Sequence, residues 1–85
     1  MIRITTQQEE SHALVTIDGQ LTATDVKEIR RVRDSVRGKV VLKLAGLSLC
    51  ADEGIRVLRD WLQAGAQLEN ATPFLRMVLE KQERA

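Results

Sequence analysis

Two stretches near the N-terminus alternate apolar and polar residues, which is the two-residue period of a β-strand with one buried face. Residues 2–4 form the first stretch and residues 13–17 the second, with a polar loop at 7–11 between them. Asp18-Gly19 follows the second stretch as a turn signal. The pattern predicts an antiparallel hairpin whose second strand ends at Asp18-Gly19.

The next stretch has the longer repeat of an amphipathic helix. Thr22 or Thr24 can cap its first turn, and Thr22 with Asp25 has the spacing of a capping box. Gly38 suits the position after the end of a helix. The predicted buried stripe of this first helix consists of Val26, Ile29, Val32 and Val36.

A continuous apolar run then marks a third strand over Lys39–Leu44. We expect it to be central, parallel and buried on both faces. After a connector at 45–50, a second helix is predicted from about Glu53 to Ala64. A short fourth strand is predicted at 66–69.

Thr72-Pro73 is a strong start for a third helix, because Thr is a preferred N-cap and Pro suits the first helical position. The order of elements is therefore β-β-α-β-α-β-α, and right-handed crossovers make the second, third and fourth strands parallel. The sequence predicts one α/β domain over residues 1–85, with a four-stranded mixed sheet covered by helices. The predicted apolar face of the third helix consists of Phe74, Leu75, Val78 and Leu79.

Composition narrows the classes of function. Eighty-five residues, 44% hydrophobic and 29% charged, suit one small globular domain, for which homodimerisation would add buried surface. The net charge of +1 argues against a general nucleic-acid binder, because neutralising phosphates needs a basic excess. A single cysteine suits a reducing cytosol, and no apolar stretch is long enough for membrane insertion. We therefore expect a cytoplasmic protein.

The segment over residues 40–58 carries the strongest functional signal. It leads the third strand into a small-acidic-acidic-Gly turn, residues 51–54 (ADEG), at the start of the second helix. Exposed N–H groups and the positive end of the helix dipole favour negative charge there. The ordinary structural interpretation is that Asp52 is the N-cap and accepts from the N–H groups of Gly54 and Ile55.

This segment resembles the signature of STAS domains, the small modules typified by bacterial anti-sigma factor antagonists. In that family a buried strand leads through hydrophobic-Asp-Ser-Ser/Thr-Gly into a helix, and the first hydroxyl residue after the Asp is reversibly phosphorylated. Here Ala51 stands in place of that Asp, Asp52 in place of the phosphoacceptor and Glu53 in place of the second hydroxyl residue, while Gly54 is kept. The segments TIDGQL and ENATPFLRMVL also resemble the family, so the resemblance covers most of the chain.

The resemblance implies a non-enzymatic regulator of transcription that binds a kinase-type anti-sigma factor and thereby releases sigma factor. Because a serine kinase cannot phosphorylate a carboxylate, we expect no phosphorylation switch at Asp52. Two other interpretations stay open: an accessory STAS subunit of a transporter or larger signalling complex, and a nucleotide-binding module, although the acidic pair would repel phosphate. The residues expected to bind a protein partner are Thr22, Thr24, Asp52, Glu53, Arg56 and Arg59.

Other chemically active side chains have ordinary explanations. Cys50 lies beside a helix start but is expected to be a small buried hydrophobe. His12, the only histidine, is expected at the surface, and Ser48 is expected to face solvent or cap a turn. Trp61 fits either the core or an exposed interface anchor. The sequence predicts no catalytic residue, no metal site and no cofactor.

Overall fold

The computed structural model describes residues 2–80, which build one sheet and three α-helices. The strands are β1 (Ile2–Gln8), β2 (His12–Leu21), β3 (Lys39–Leu44), β4 (Leu47–Cys50) and β5 (Gln67–Ala71). The sheet has the strand order β1-β2-β3-β5, with β1 antiparallel to β2, and with β2, β3 and β5 mutually parallel. The predicted α/β class, the hairpin and the parallel pairings are confirmed.

The second strand is longer than predicted. β2 continues through Asp18-Gly19 to Leu21, so the predicted strand end at the Asp-Gly pair is wrong. Gly19 takes a φ of +103°, and its N–H donates to Gly46 O at 2.9 Å. The glycine therefore produces an irregularity within the strand and does not end it.

The connector predicted at 45–50 contains an additional strand, so the sheet has five strands where four were predicted. β4 pairs in parallel with the end of β2, and Leu21 lies opposite Cys50 in that register. Only four residues long, β4 is too short to show a period of its own.

Three helices follow the predicted order. A 3₁₀ turn, Ala23–Asp25, leads into the first of them. From β2 to β3 to β5, each strand is added on the same side of the one before it. Right-handed crossovers therefore place the first two helices on the same face of the sheet. The two helices contact each other there. The helices are α1 (Val26–Ser35), α2 (Asp52–Gln63) and α3 (Pro73–Glu80).

Because the helices cover one face, β3 is not buried on both faces as predicted. Val40, Leu42 and Leu44 are buried under the helices, whereas Val41 and Lys43 are half-buried on the opposite face. Lys43 forms an ion pair there with Glu69, with 3.5 Å between Nζ and Oε1. We call this second surface the open face of the sheet.

The helices also differ from prediction in how deeply their apolar residues are buried. Ile29 is the one fully buried residue of the α1 stripe, and its other members are half-buried. In α3, Leu75 and Leu79 enter the core, but Phe74 is 65% exposed and does not belong to the buried face as predicted. Trp61 is 3% exposed and packs in the core, so it is a core residue and not an exposed interface anchor.

Within the described residues, no helix is both long and apolar enough to cross a membrane.

Candidate functional site

The ends of β2 and β4 lie side by side at the carboxyl edge of the sheet. The N–H of Ala51 donates to Leu21 O at 2.8 Å, which holds the start of α2 against the start of the Thr22 segment. Residues 18–24 and 50–54 therefore lie next to each other. Open α/β sheets commonly bind ligands or partners at such an edge.

The Thr22 segment forms a small polar network on the surface. The N–H and the Oγ1 of Thr22 both donate to Asp25 Oδ2, each at 3.0 Å, and the hydroxyls of Thr22 and Thr24 lie 2.9 Å apart. The hydrogen bond from the Thr22 backbone lowers the pKa of Asp25 below its usual value. Thr22 and Thr24 are exposed, and their hydroxyls organise the entry to α1, as the capping-box spacing predicts.

The structure corrects the predicted role of Asp52. The N-cap of α2 is Ala51, in extended backbone with φ −68° and ψ 162°, and no side chain caps this helix start. Asp52 is the first helical residue and is exposed, as is Glu53. Both carboxylates therefore face solvent at the positive end of the helix dipole, where their charge is favourable without a capping bond.

Gly54 lets α2 approach β2 closely. It is buried, and a Cβ at this position would lie 2.6 Å from Leu21 Cγ and 3.2 Å from Cys50 Sγ. Leu21 is fully buried, so its side chain has little room to retreat. The glycine that this turn shares with the STAS signature therefore has a packing role here.

A groove of about 210 Å³ lies between α1 and α2, next to this edge. Of the predicted partner-binding residues, Glu53 and Arg56 line it, and both are exposed. Arg30 of α1 lines it too and was missing from the prediction. Its position one turn after Val26, which also lines the groove, is the signal that could have identified it.

Arg59 is placed differently from the other predicted binding residues. It is half-buried, and its Nη2 donates to Val78 O at 2.9 Å, which joins α2 to α3. The structure therefore does not bring Arg59 to the groove, and gives it a structural contact with α3.

The remaining candidates behave as ordinary structural residues. Cys50 is half-buried, and burial together with the charge of Asp52 raises the pKa of its thiol to about 11, so it is not an activated nucleophile. Ser48 is exposed and donates to Gly19 O at 3.1 Å. His12 is half-buried at the start of β2. The described part of the chain contains no cluster of side chains suited to a metal ion.

Comparison with known proteins identifies the fold. A STAS-domain anti-sigma factor antagonist from Rhodobacter sphaeroides superposes with a TM-score of 0.59 at 14% identity, covering 79% of this chain and 82% of that one. The anti-sigma factor antagonist SpoIIAA in its unphosphorylated form superposes with a TM-score of 0.66 at 15% identity, covering 92% of this chain and 78% of that one. The chain has a STAS-like fold. By sequence, no family model and no curated protein matches the chain.

Proposed function

We propose that this STAS-like domain is a non-enzymatic module that binds a partner protein at the carboxyl edge of its sheet, in the manner of an anti-sigma factor antagonist. The observation that carries the proposal is the groove between α1 and α2. Arg30, Glu53 and Arg56 present exposed charges there beside the apolar Val26 and Val57. An apolar centre with a charged rim is the usual composition of a protein interface.

The names of the structural neighbours support the same kind of role, since both are anti-sigma factor antagonists. Nucleotide binding is less well supported. Asp52 and Glu53 expose two carboxylates at the start of α2, where they would repel the phosphates of a nucleotide. Thr22, Thr24 and Asp52 complete the proposed binding surface around the groove.

We further propose that the surface is not switched by serine phosphorylation. Asp52 supplies about one negative charge permanently, whereas phosphoserine supplies about −1.5 to −2 with three acceptor oxygens. Ser48 is the nearest hydroxyl before the turn, and its Oγ donates to Gly19 O within the sheet. The charge at this helix start is therefore fixed.

Affinity purification of the tagged protein from its host, followed by mass spectrometry, tests the class of partner. An ATP-binding anti-sigma kinase would support the antagonist role, and a transporter ATPase would support the accessory-subunit alternative. The captured partner is then measured against Arg56→Glu, which we expect to weaken binding about tenfold or more, and Arg37→Glu, an exposed charge outside the groove, as control. Equal affinity of both variants would place the interface elsewhere.

The absence of a switch has its own test. Incubation with candidate anti-sigma kinases and ATP, measured by intact mass, should leave the mass of the protein unchanged. Stoichiometric addition of phosphate at Ser48 would contradict the proposal. The variant Asp52→Ser should regain a phosphorylation-dependent affinity if charge at this position controls binding.

A further inference from the structure

The first strand lies at the edge of the sheet and has little of the usual protection against pairing with another strand. β1 is first in the strand order, and no described element pairs with its side away from β2. Its register with β2 is unbroken over seven residue pairs, from Ile2 to Gln8. Exposed edges are normally protected by Pro, by charged side chains, especially Lys, by a bulge or by short length. The strand IRITTQQ has seven residues and no Pro, Lys or register shift, and Arg3 is its one charged residue.

The opposite edge of the same sheet is protected. β5 has five residues, its register with β3 shifts between Leu42 and Lys43, and it carries the charged Glu69. The backbone carbonyl of Glu69 already accepts from Arg76 Nη2 of α3 at 3.1 Å. Of these two edges, β1 is therefore the longer and the more regular one for pairing with another strand.

The sequence of β1 is complementary to itself when two copies run antiparallel. The register centred on Thr5 pairs all seven residues of both strands, and it keeps the helices of both copies on the same side of the joined sheet. Arg3 then lies opposite the partner's Gln7, and Ile4 opposite the partner's Thr6. No like charges face each other, and the two Thr5 side chains form a Thr–Thr pair on the open face.

We propose that β1 is the interface of a homodimer in which two copies join edge to edge, with Thr5 on the two-fold axis. The partner is a second copy because the register of β1 with itself is complete and free of charge conflict. The proposed partner-binding groove lies between α1 and α2, in the helical layer of each copy. The dimer therefore leaves this groove open on both copies.

The central position allows a charge-swap experiment, because Thr5 is exposed and lies opposite itself across the axis. Thr5→Lys and Thr5→Glu each place like charges opposite each other, while a mixture of the two variants places opposite charges there. A swing of about 1 kcal/mol in each direction makes the mixed pair about 30-fold tighter than either variant alone. Sedimentation equilibrium of the separate and mixed variants measures this difference, with circular dichroism to verify folding.

The control is Gln67→Lys, which adds the same charge on the exposed surface of the protected edge strand and should leave dimerisation unchanged. A wild-type protein that stays monomeric at about 1 mM would overturn the proposal. A wild-type dimer that neither Thr5 variant weakens would also overturn it, since the interface would then lie elsewhere. Weakening by Gln67→Lys as great as by Thr5→Lys would contradict the assignment to β1.

Discussion

Both α2 and α3 begin just after a β-strand, but different contacts hold their first turns in place. α3 follows β5 and is capped by its own sequence. The hydroxyl of Thr72 accepts from the N–H of Leu75 at 3.2 Å, and Pro73 occupies the first helical position, which needs no donor. The start of α3 is therefore fixed by residues within one turn of each other.

The start of α2 is fixed by its neighbours in the sheet. Ala51 offers no capping side chain, but its N–H donates to Leu21 O, and Gly54 allows the first turn to pack directly on Leu21. A helix start without a side-chain cap leaves backbone donors available to an external acceptor. The comparison teaches that packing can position a helix where the capping residue is missing, and that the uncapped start is the one beside the proposed binding groove.

The largest expected effect comes from filling the space that Gly54 leaves. Gly54→Val would force its side chain against Leu21 and Cys50, so we expect a loss of about 1–3 kcal/mol in the free energy of unfolding. Urea denaturation measures it. Arg56→Val, at an exposed position two residues later, is the control and should change the stability by less than about 0.5 kcal/mol. Similar losses in the two variants would show that packing does not fix the start of α2.

Removing the cap of α3 should have the next largest effect. Thr72→Ala deletes the acceptor of the Leu75 N–H, and we expect it to cost about 1 kcal/mol, within the usual range of about 0.5–2 kcal/mol for caps. Thr72→Ser keeps the hydroxyl and should retain most of that stability. Equal losses in both variants would mean that the methyl group of Thr72, and not its hydroxyl, stabilises this region.

Adding a side-chain cap to α2 should remove this difference between the starts of α2 and α3. Ala51 already has the extended backbone of an N-cap, so Ala51→Ser should stabilise the protein by somewhat less than about 1 kcal/mol. Ala64→Ser, at the exposed other end of the helix, should give no such gain. If Ala51→Ser also weakens partner binding, the backbone donors of this turn contribute to the interface. A stability unchanged by Ala51→Ser would show that the sheet contacts already satisfy this turn.

The order of elements was predictable from the sequence, because the hairpin, the central strand and the three helices each have a distinct hydrophobic period. The range Lys39–Leu44 is confirmed to the residue. β4 was not predictable, because pairing with the end of β2 defines it and no local pattern does. One-sided burial of β3 depends on the direction of both crossovers, which the apolar run alone does not encode.

The candidate site was predicted in position but not in detail. Asp52 was assigned as the cap because it is the first residue in the turn with a capping side chain. The helix starts one residue earlier because Ala51 is held by Leu21, a contact distant in sequence. Arg59 was predicted at the binding surface from its place on α2, but its hydrogen bond to Val78 depends on how α3 packs.

The smallest expected effect tests the charge at the uncapped helix. Asp52→Asn removes a dipole interaction but no capping bond, so we expect a loss of about 0.3–1 kcal/mol at low salt, which added salt should reduce. The Asp52→Asn variant should also change the pKa of the Cys50 thiol. Burial raises the pKa of that thiol first and the charge of Asp52 second, so Asp52→Asn should lower the pKa from about 11 while leaving it above 9.0.

The pH dependence of stability gives the same test a second measurement. A thiol whose folded pKa lies above its unfolded value keeps its stabilising contribution below about pH 9 and loses it as the pH rises toward about 11. Asp52→Asn should make this loss smaller, and ultraviolet absorbance of the thiolate measures the pKa directly. Glu53→Gln is the matched control, because it removes a charge from the same turn, and only Asp52 is a charged contributor to the Cys50 shift. An equal pKa change in both variants would mean that the charge of the whole turn, and not that of Asp52, acts on the thiol.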